Sequence, residues 1–210
     1  MQLPRGGGTS LADSLLQEFP KLSGVGRSPG DAGLLHRLDE DTSGVVLGAW
    51  TKSTWELLFE ELRSGRIEKT YAALVEGSMS APSTITTFIG TPHRGAKKMK
   101  VYEKEPPRWA RALEGTTSFL SVKALPALHA SLVTVAASPA RRHQVRIHCA
   151  HTGHPLLGDT LYGSTHGVPE SVARGRSFVL HADTLSLVHP VTNERLVVTA
   201  PVEDEITLPQ

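Results

Sequence analysis

The sequence predicts an α+β fold, with a mostly antiparallel mixed sheet and flanking helices. Three observations lead there. Segments rich in β-branched residues outnumber those with helical spacing. They follow one another without strict βαβ alternation. A hydrophobic content of 39% over 210 residues is enough for a real core and lies far from disordered compositions. The chain is expected to form a single domain over residues 1–210.

The elements can be read in order. Ser10 is placed to cap a helix over Leu11 to Phe19, whose apolar residues recur at helical spacing. Asp41 to Gly44 reads as a polar turn, and Val45 to Ala49 as a buried strand after it. A second helix is expected from about Ser53 to Leu62, capped by Thr51 or Ser53 and ended near Gly65. Tyr71 to Val75 reads as a strand, Gly77 to Ser83 as a turn, and Thr84 to Ile89 as another strand. Gly90 to Ala112 is polar, basic and aperiodic, which suggests a long loop or flexible hairpin kept for function. Ser118 to Lys123 and His129 to Ala136 read as two strands joined at Pro126. His143 to Thr152 has a helical pattern stopped by Gly153 and Pro155. Ser177 to Val188 and Glu194 to Ala200 read as paired strands about a turn at His189 to Asn193.

Several functional classes are excluded or disfavoured. No run approaches 18 consecutive apolar residues, so no membrane span is expected. The N-terminus lacks the apolar stretch of a signal peptide. The single cysteine, Cys149, excludes an internal disulfide and fits a reducing compartment, hence a cytoplasmic protein. Net charge is only +1, so any nucleic-acid contact depends on distribution. Between His93 and Arg111 there are seven basic residues, including Arg94, Lys97, Lys98 and Lys100, against two acids. That segment is either a basic patch or a solvated loop. The C-terminus carries Glu203, Asp204 and Glu205 instead.

One stretch stands out, from His36-Arg37-Leu38-Asp39 to Thr42-Ser43-Gly44. A carboxylate just ahead of a buried strand is costly unless something pairs it. From the residues alone, Asp39 either caps the turn or does chemistry. The stretch resembles the HRLDxxTSG signature of RluA-type pseudouridine synthases. Lys69 to Gly77 is similar to that family's KxYxAxVxG strand. His143-Gln144-Val145-Arg146-Ile147-His148, continuing through Gly153-His154-Pro155, Gly158-Asp159 and Leu161-Tyr162-Gly163, resembles its HQIRxH…GHPIxGDxLYG block. His181-Ala182 to His189-Pro190 is similar to its closing strand pair.

The resemblance implies an RNA pseudouridine synthase acting on a uridine in structured rRNA or tRNA. The reaction breaks the C1′–N1 bond, turns the uracil and rejoins it through C5. It is an isomerisation, so no cofactor is expected. It implies Asp39 as nucleophile or base, Arg146 as the cation that pairs with that carboxylate, and Tyr71 as the active-site tyrosine. Whether Asp39 attacks C1′, attacks C6 or removes the C2′ proton stays open. Arg37 is expected to hold the flipped nucleotide or fill its place. His36 beside it is expected to help place the loop and to border the substrate. Val145 or Ile147 is expected to wall the uracil, and Arg141, Arg142, Lys97 and Lys98 to contact RNA backbone.

Rival readings remain. The protein could keep the fold as a catalytically weak RNA-binding or chaperone protein. His143, His148, His151 and His154 fall within twelve residues. They lack the i, i+4 spacing around a glutamate of a zinc-protease helix, so no metal is expected. Gly6-Gly7-Gly8 lacks the Gly-Lys-Ser/Thr that would make it a phosphate loop. Against the family pattern, Ala140 replaces a usual glycine and Arg142 a common threonine. The chain is also expected to lack an N-terminal strand with a Lys-Pro-x-Gly segment and an S4-type RNA-binding domain. A monomer is expected, with dimerisation through an exposed sheet edge as the alternative.

Overall fold

Residues 10–80 and 83–201 are described by a computed structural model. The Gly6–Gly8 run, Ala81 and Pro82 within the expected turn, and the acidic Glu203–Glu205 stretch lie outside them. The fold is α+β, as expected. Helix α1 (Leu11–Glu18) opens on a capping box: the Ser10 hydroxyl accepts from the Asp13 amide, and the Asp13 carboxylate accepts from the Ser10 amide. Helix α2 (Lys52–Arg63) starts at Thr51, whose hydroxyl accepts from the Thr54 amide.

Among the described residues eight strands form one sheet: β1 (Thr42–Gly44), β2 (Glu68–Glu76), β3 (Thr84–Gly90), β4 (Lys100–Tyr102), β5 (Leu113–Leu125), β6 (Ala130–Ala137), β7 (Leu180–Val188) and β8 (Arg195–Thr199). Their spatial order is β1-β7-β2-β6-β5-β3-β4, with β8 also paired to β7. Every pairing is antiparallel except β1 on β7. Helix α3 (Gln144–His151) and the short α4 (Glu170–Ala173) complete the elements used below.

The central strand β2 does not alternate. Lys69 and residues 71–75 are all buried, because both faces are covered. Tyr71, Ala73 and Val75 pack with Val133, Val135 and Phe119 against Val145 and Cys149 of α3. Ala72 and Leu74 pack on the other face with Leu157, Val172 and Val179. Burying each large apolar side chain this fully stabilises the fold by roughly 1.5–3 kcal/mol.

One expectation needs correction, and one is resolved in favour of its hairpin alternative. The turn falls at Asp39–Thr42, closed by the Thr42 amide on the Asp39 carbonyl at 3.0 Å. The strand is then the polar Thr42–Gly44, while Val45 to Leu47 is irregular and half-buried. The reason is long-range. Gly44 runs so close to β7 that an added Cβ would lie 2.2 Å from the Ala182 carbonyl oxygen. Its φ of +109° then turns the chain off the sheet. The basic segment after Gly90 is the second arm of a β3–β4 hairpin, with Phe88 opposite Tyr102 and Gly90 opposite Lys100. Its apolar residues Ala96, Met99 and Ala110 are buried, so it is docked onto the domain.

Strand β8 is exposed along its whole length, including Leu196, Val197 and Val198. Among the described residues no helix is long and apolar enough to cross a membrane.

Candidate active site

Three neighbouring pieces of chain build one site: the turn at Asp39, the start of β2, and the start of α3. Asp39 is held by its own turn at 19% side-chain exposure. Its Oδ2 lies 3.4 Å from Nη1 of Arg146, and its Oδ1 lies 3.7 Å from Nε2 of His143. Tyr71, on β2, packs in the same cluster as Leu38 and Val145. Burial and the charge of Asp39 push its pKa up to about 12, so it is a phenol at neutral pH. The structure therefore brings Asp39, Tyr71 and Arg146 together.

Helix α3 holds Arg146 rigidly, because its polar side chains are spent on the sheet. Gln144 donates to the Thr116 carbonyl and the Thr117 hydroxyl. The His148 ring lies between the hydroxyls of Thr87 and Thr117, at 3.0 and 2.8 Å. Arg146 itself has a second and closer carboxylate. Its Nε and Nη2 donate to Asp159 at 2.7 and 2.9 Å, a bidentate pair with both side chains buried. Its guanidinium also lies 4.5 Å from the Phe178 ring centroid and 5.2 Å from that of Tyr162. Burial alone would lower the Arg146 pKa, but the Asp159 hydrogen bonds and charge outweigh it and raise it. Arg146 is thus a fixed cation whose remaining Nη1 faces Asp39.

The other expected residues lie as follows. Arg37 is exposed, two residues before Asp39, and lines a groove with Arg27, Trp55 and Phe59. His36 points inward, where its Nε2 accepts the Leu47 amide at 3.1 Å. Burial and the Lys69 charge push its pKa down to about 3, so it pegs the loop as a neutral ring. Lys69 is itself buried under that loop, and burial lowers its pKa to about 8. Val145 sits in the Tyr71 cluster, whereas Ile147 packs with Met99 and Tyr162. Arg141 donates to the Glu114 carbonyl and Arg142 to that of Lys97. Lys97 and Lys98 are exposed, and the Lys98 ammonium lies 5.4 Å over the Tyr162 ring. The four clustered histidines end on separate partners: His143 on Tyr162, His148 on two threonines, His151 on Glu103 and His154 on the Glu76 carbonyl. Among the described residues no group of metal-ligating side chains is gathered.

The sequence reading missed Asp159, Tyr162 and His143 as site residues. A signal existed for Asp159. A buried arginine needs a carboxylate, and the Gly158-Asp159 turn is close enough in sequence to supply one.

Such a site defines a class: an acid on a loop over a mostly antiparallel sheet, flanked by a fixed arginine and a tyrosine. The sequence signature of the RNA pseudouridylate synthase family matches residues 10–151. The chain belongs to that family. It is 34% identical over 207 residues to the ribosomal large subunit pseudouridine synthase D of Xylella fastidiosa, covering 94% of this chain and 58% of that protein. It is 31% identical over 182 residues to the tRNA pseudouridine synthase C of Haemophilus influenzae, covering 81% of this chain and 74% of that one. Among solved structures it resembles human RNA pseudouridylate synthase domain containing 1, with TM-score 0.64 and 25% identity over 91% of this chain and 74% of that one. The chain spans little more than half the length of the first of these relatives.

Proposed function

We propose that this chain is a catalytic domain, residues 1–210, that isomerises a uridine in structured RNA to pseudouridine in the cytoplasm. The observation that carries it is the Asp39 carboxylate held beside Arg146 and Tyr71, in a chain belonging to a pseudouridine synthase family. The relatives' names point to rRNA and tRNA as substrates. In this reading Asp39 acts at the sugar–base junction as nucleophile or base. The C1′–N1 bond breaks, C1′ bonds to C5, the C5 proton leaves and N1 gains one. Arg146 keeps the site cationic, Tyr71 stacks on the detached ring, and Arg37, exposed in the loop that carries Asp39, meets the flipped nucleotide. Mapping pseudouridines in total RNA with and without the gene tests this. Loss of at least one pseudouridine supports it, and an unchanged map refutes it.

Tyr71 divides into two expected outcomes. Tyr71→Phe should keep RNA binding but slow product formation, if the phenol carries the C5 proton. Tyr71→Ala should weaken both. Equal turnover by the Phe variant and wild type would confine Tyr71 to stacking.

The basic hairpin arm sits beside the site and is read as an RNA backbone contact. Replacing Lys97, Lys98 and Lys100 with Gln should weaken RNA binding. It should also reduce the slope of log Kd against log salt by about one unit per lost contact. An unchanged slope would make the segment a solvated arm.

A further inference from the structure

We propose that His143 is a positioning residue for Asp39, and that Tyr162, itself anchored by the basic hairpin, locks the His143 ring in the tautomer that does this. The inference rests on the proposed reaction for its kinetic arm but not for its structural one.

The Tyr162 hydroxyl accepts from the Met99 amide at 2.9 Å. Its oxygen also lies 2.8 Å from Nδ1 of His143. These are its two hydrogen-bond partners among the described residues. If Nδ1 carried a proton, both contacts would donate to the phenol oxygen, and its own buried proton would have no acceptor. An unmade buried hydrogen bond of that kind costs about 1–3 kcal/mol. The phenol therefore donates to Nδ1, and the neutral ring carries its proton on Nε2. Nε2 is the atom that faces Asp39, 3.7 Å from Oδ1.

The surroundings agree. Burial pushes the His143 pKa down to about 4, against the opposing charge of Asp39. Burial holds Tyr162 near 12, so the donor stays protonated. The charged groups facing the ring are Asp39, Arg146, Arg142 and Asp159. His143 adopts a left-handed backbone, φ +56°, directly before α3. A non-glycine residue there costs about 1 kcal/mol or more, and here it turns the ring between Tyr162 and Asp39. The two rings meet edge to face at 5.7 Å.

Asp39 needs this second contact because Arg146 cannot follow it. The guanidinium is committed to Asp159 by two hydrogen bonds. One carboxylate oxygen thus faces a fixed cation and the other a neutral N–H. Both contacts exceed ordinary hydrogen-bond length, so they set the rotation of the carboxylate and leave its lone pairs for substrate. Met99 lies between Lys98 and Lys100, so the arm read as touching RNA connects to Asp39 through two side chains.

The test uses the whole chain labelled with 15N-histidine. Long-range 1H–15N NMR at pH 7 should show His143 neutral with its proton on Nε2. Tyr162→Phe should shift the ring toward a mixture of tautomers. With unmodified transcripts of large-subunit rRNA and tRNA as probes, Tyr162→Phe and His143→Ala should each lower kcat by about 10- to 100-fold, with KM nearly unchanged. If His143→Ala does not fold, Tyr162→Phe carries the kinetic arm alone. A wild-type ring protonated on Nδ1 or cationic at pH 7 would overturn the proposal, as would a folded Tyr162→Phe with wild-type kcat. If wild-type protein turns over neither RNA, the proposed reaction is in question, and the tautomer measurement still decides this inference.

Discussion

Asp39→Asn should abolish isomerisation and leave the folded protein nearly unchanged. The amide keeps the shape of the carboxylate but can act as neither nucleophile nor base. Removing an essential nucleophile commonly costs about four orders of magnitude or more in rate. Stability should hardly move, because the turn at Asp39 is closed by its backbone carbonyl. The side-chain contacts to Arg146 and His143, at 3.4 and 3.7 Å, are too long to carry much of the fold. RNA affinity should persist, since the residues read as phosphate contacts lie elsewhere. Single-turnover kinetics, a thermal melt and RNA binding on one preparation check all three. Near-normal turnover by the variant would remove Asp39 from the chemistry.

Arg146→Met should damage the fold as well as the reaction. A sequence reading that pairs Arg146 with Asp39 alone predicts only lost activity, by about two orders of magnitude or more. The closer pairing with Asp159 adds a structural cost. Asp159 has 1% side-chain exposure, so the variant strands a buried carboxylate. Breaking a buried pair on one side typically costs about 3–5 kcal/mol. The guanidinium contacts with Phe178 and Tyr162 are lost as well. Urea unfolding should therefore show a large fall in stability for Arg146→Met. The double variant Arg146→Met with Asp159→Leu should regain much of it without regaining activity. A single variant within about 1 kcal/mol of wild type would show that the pair contributes little to the fold.

Much of this was legible in the sequence where the cause is local. The Ser10 and Thr51 caps follow from nearest-neighbour chemistry, and α3 stops where Gly153 and Pro155 require. The pairing of strands on either side of Pro126 and of His189 to Asn193 is equally local. What failed depended on partners far along the chain. Thr42–Gly44 is a strand because β7, some 138 residues away, supplies its pairing. No periodicity within three polar residues could show that. The site divides the same way. Asp39, Tyr71 and Arg146 carry the family resemblance and could be named. The roles of Asp159, His143 and Tyr162 depend on which groups face one another after folding. His36 lies between the two: its place in the motif suggests help in placing the loop, and its ring does peg the loop through the Leu47 amide.

The central claim is that this chain converts uridine to pseudouridine through Asp39. The most direct measurement incubates purified wild-type and Asp39→Asn protein with unmodified large-subunit rRNA and tRNA transcripts, with a chelator and no added cofactor. Digested nucleosides are then analysed by chromatography and mass spectrometry. Pseudouridine formed at a discrete position in one RNA by wild type, and none by Asp39→Asn, is the predicted result. Pseudouridine from both proteins, or from neither although both bind the RNA, would contradict the account.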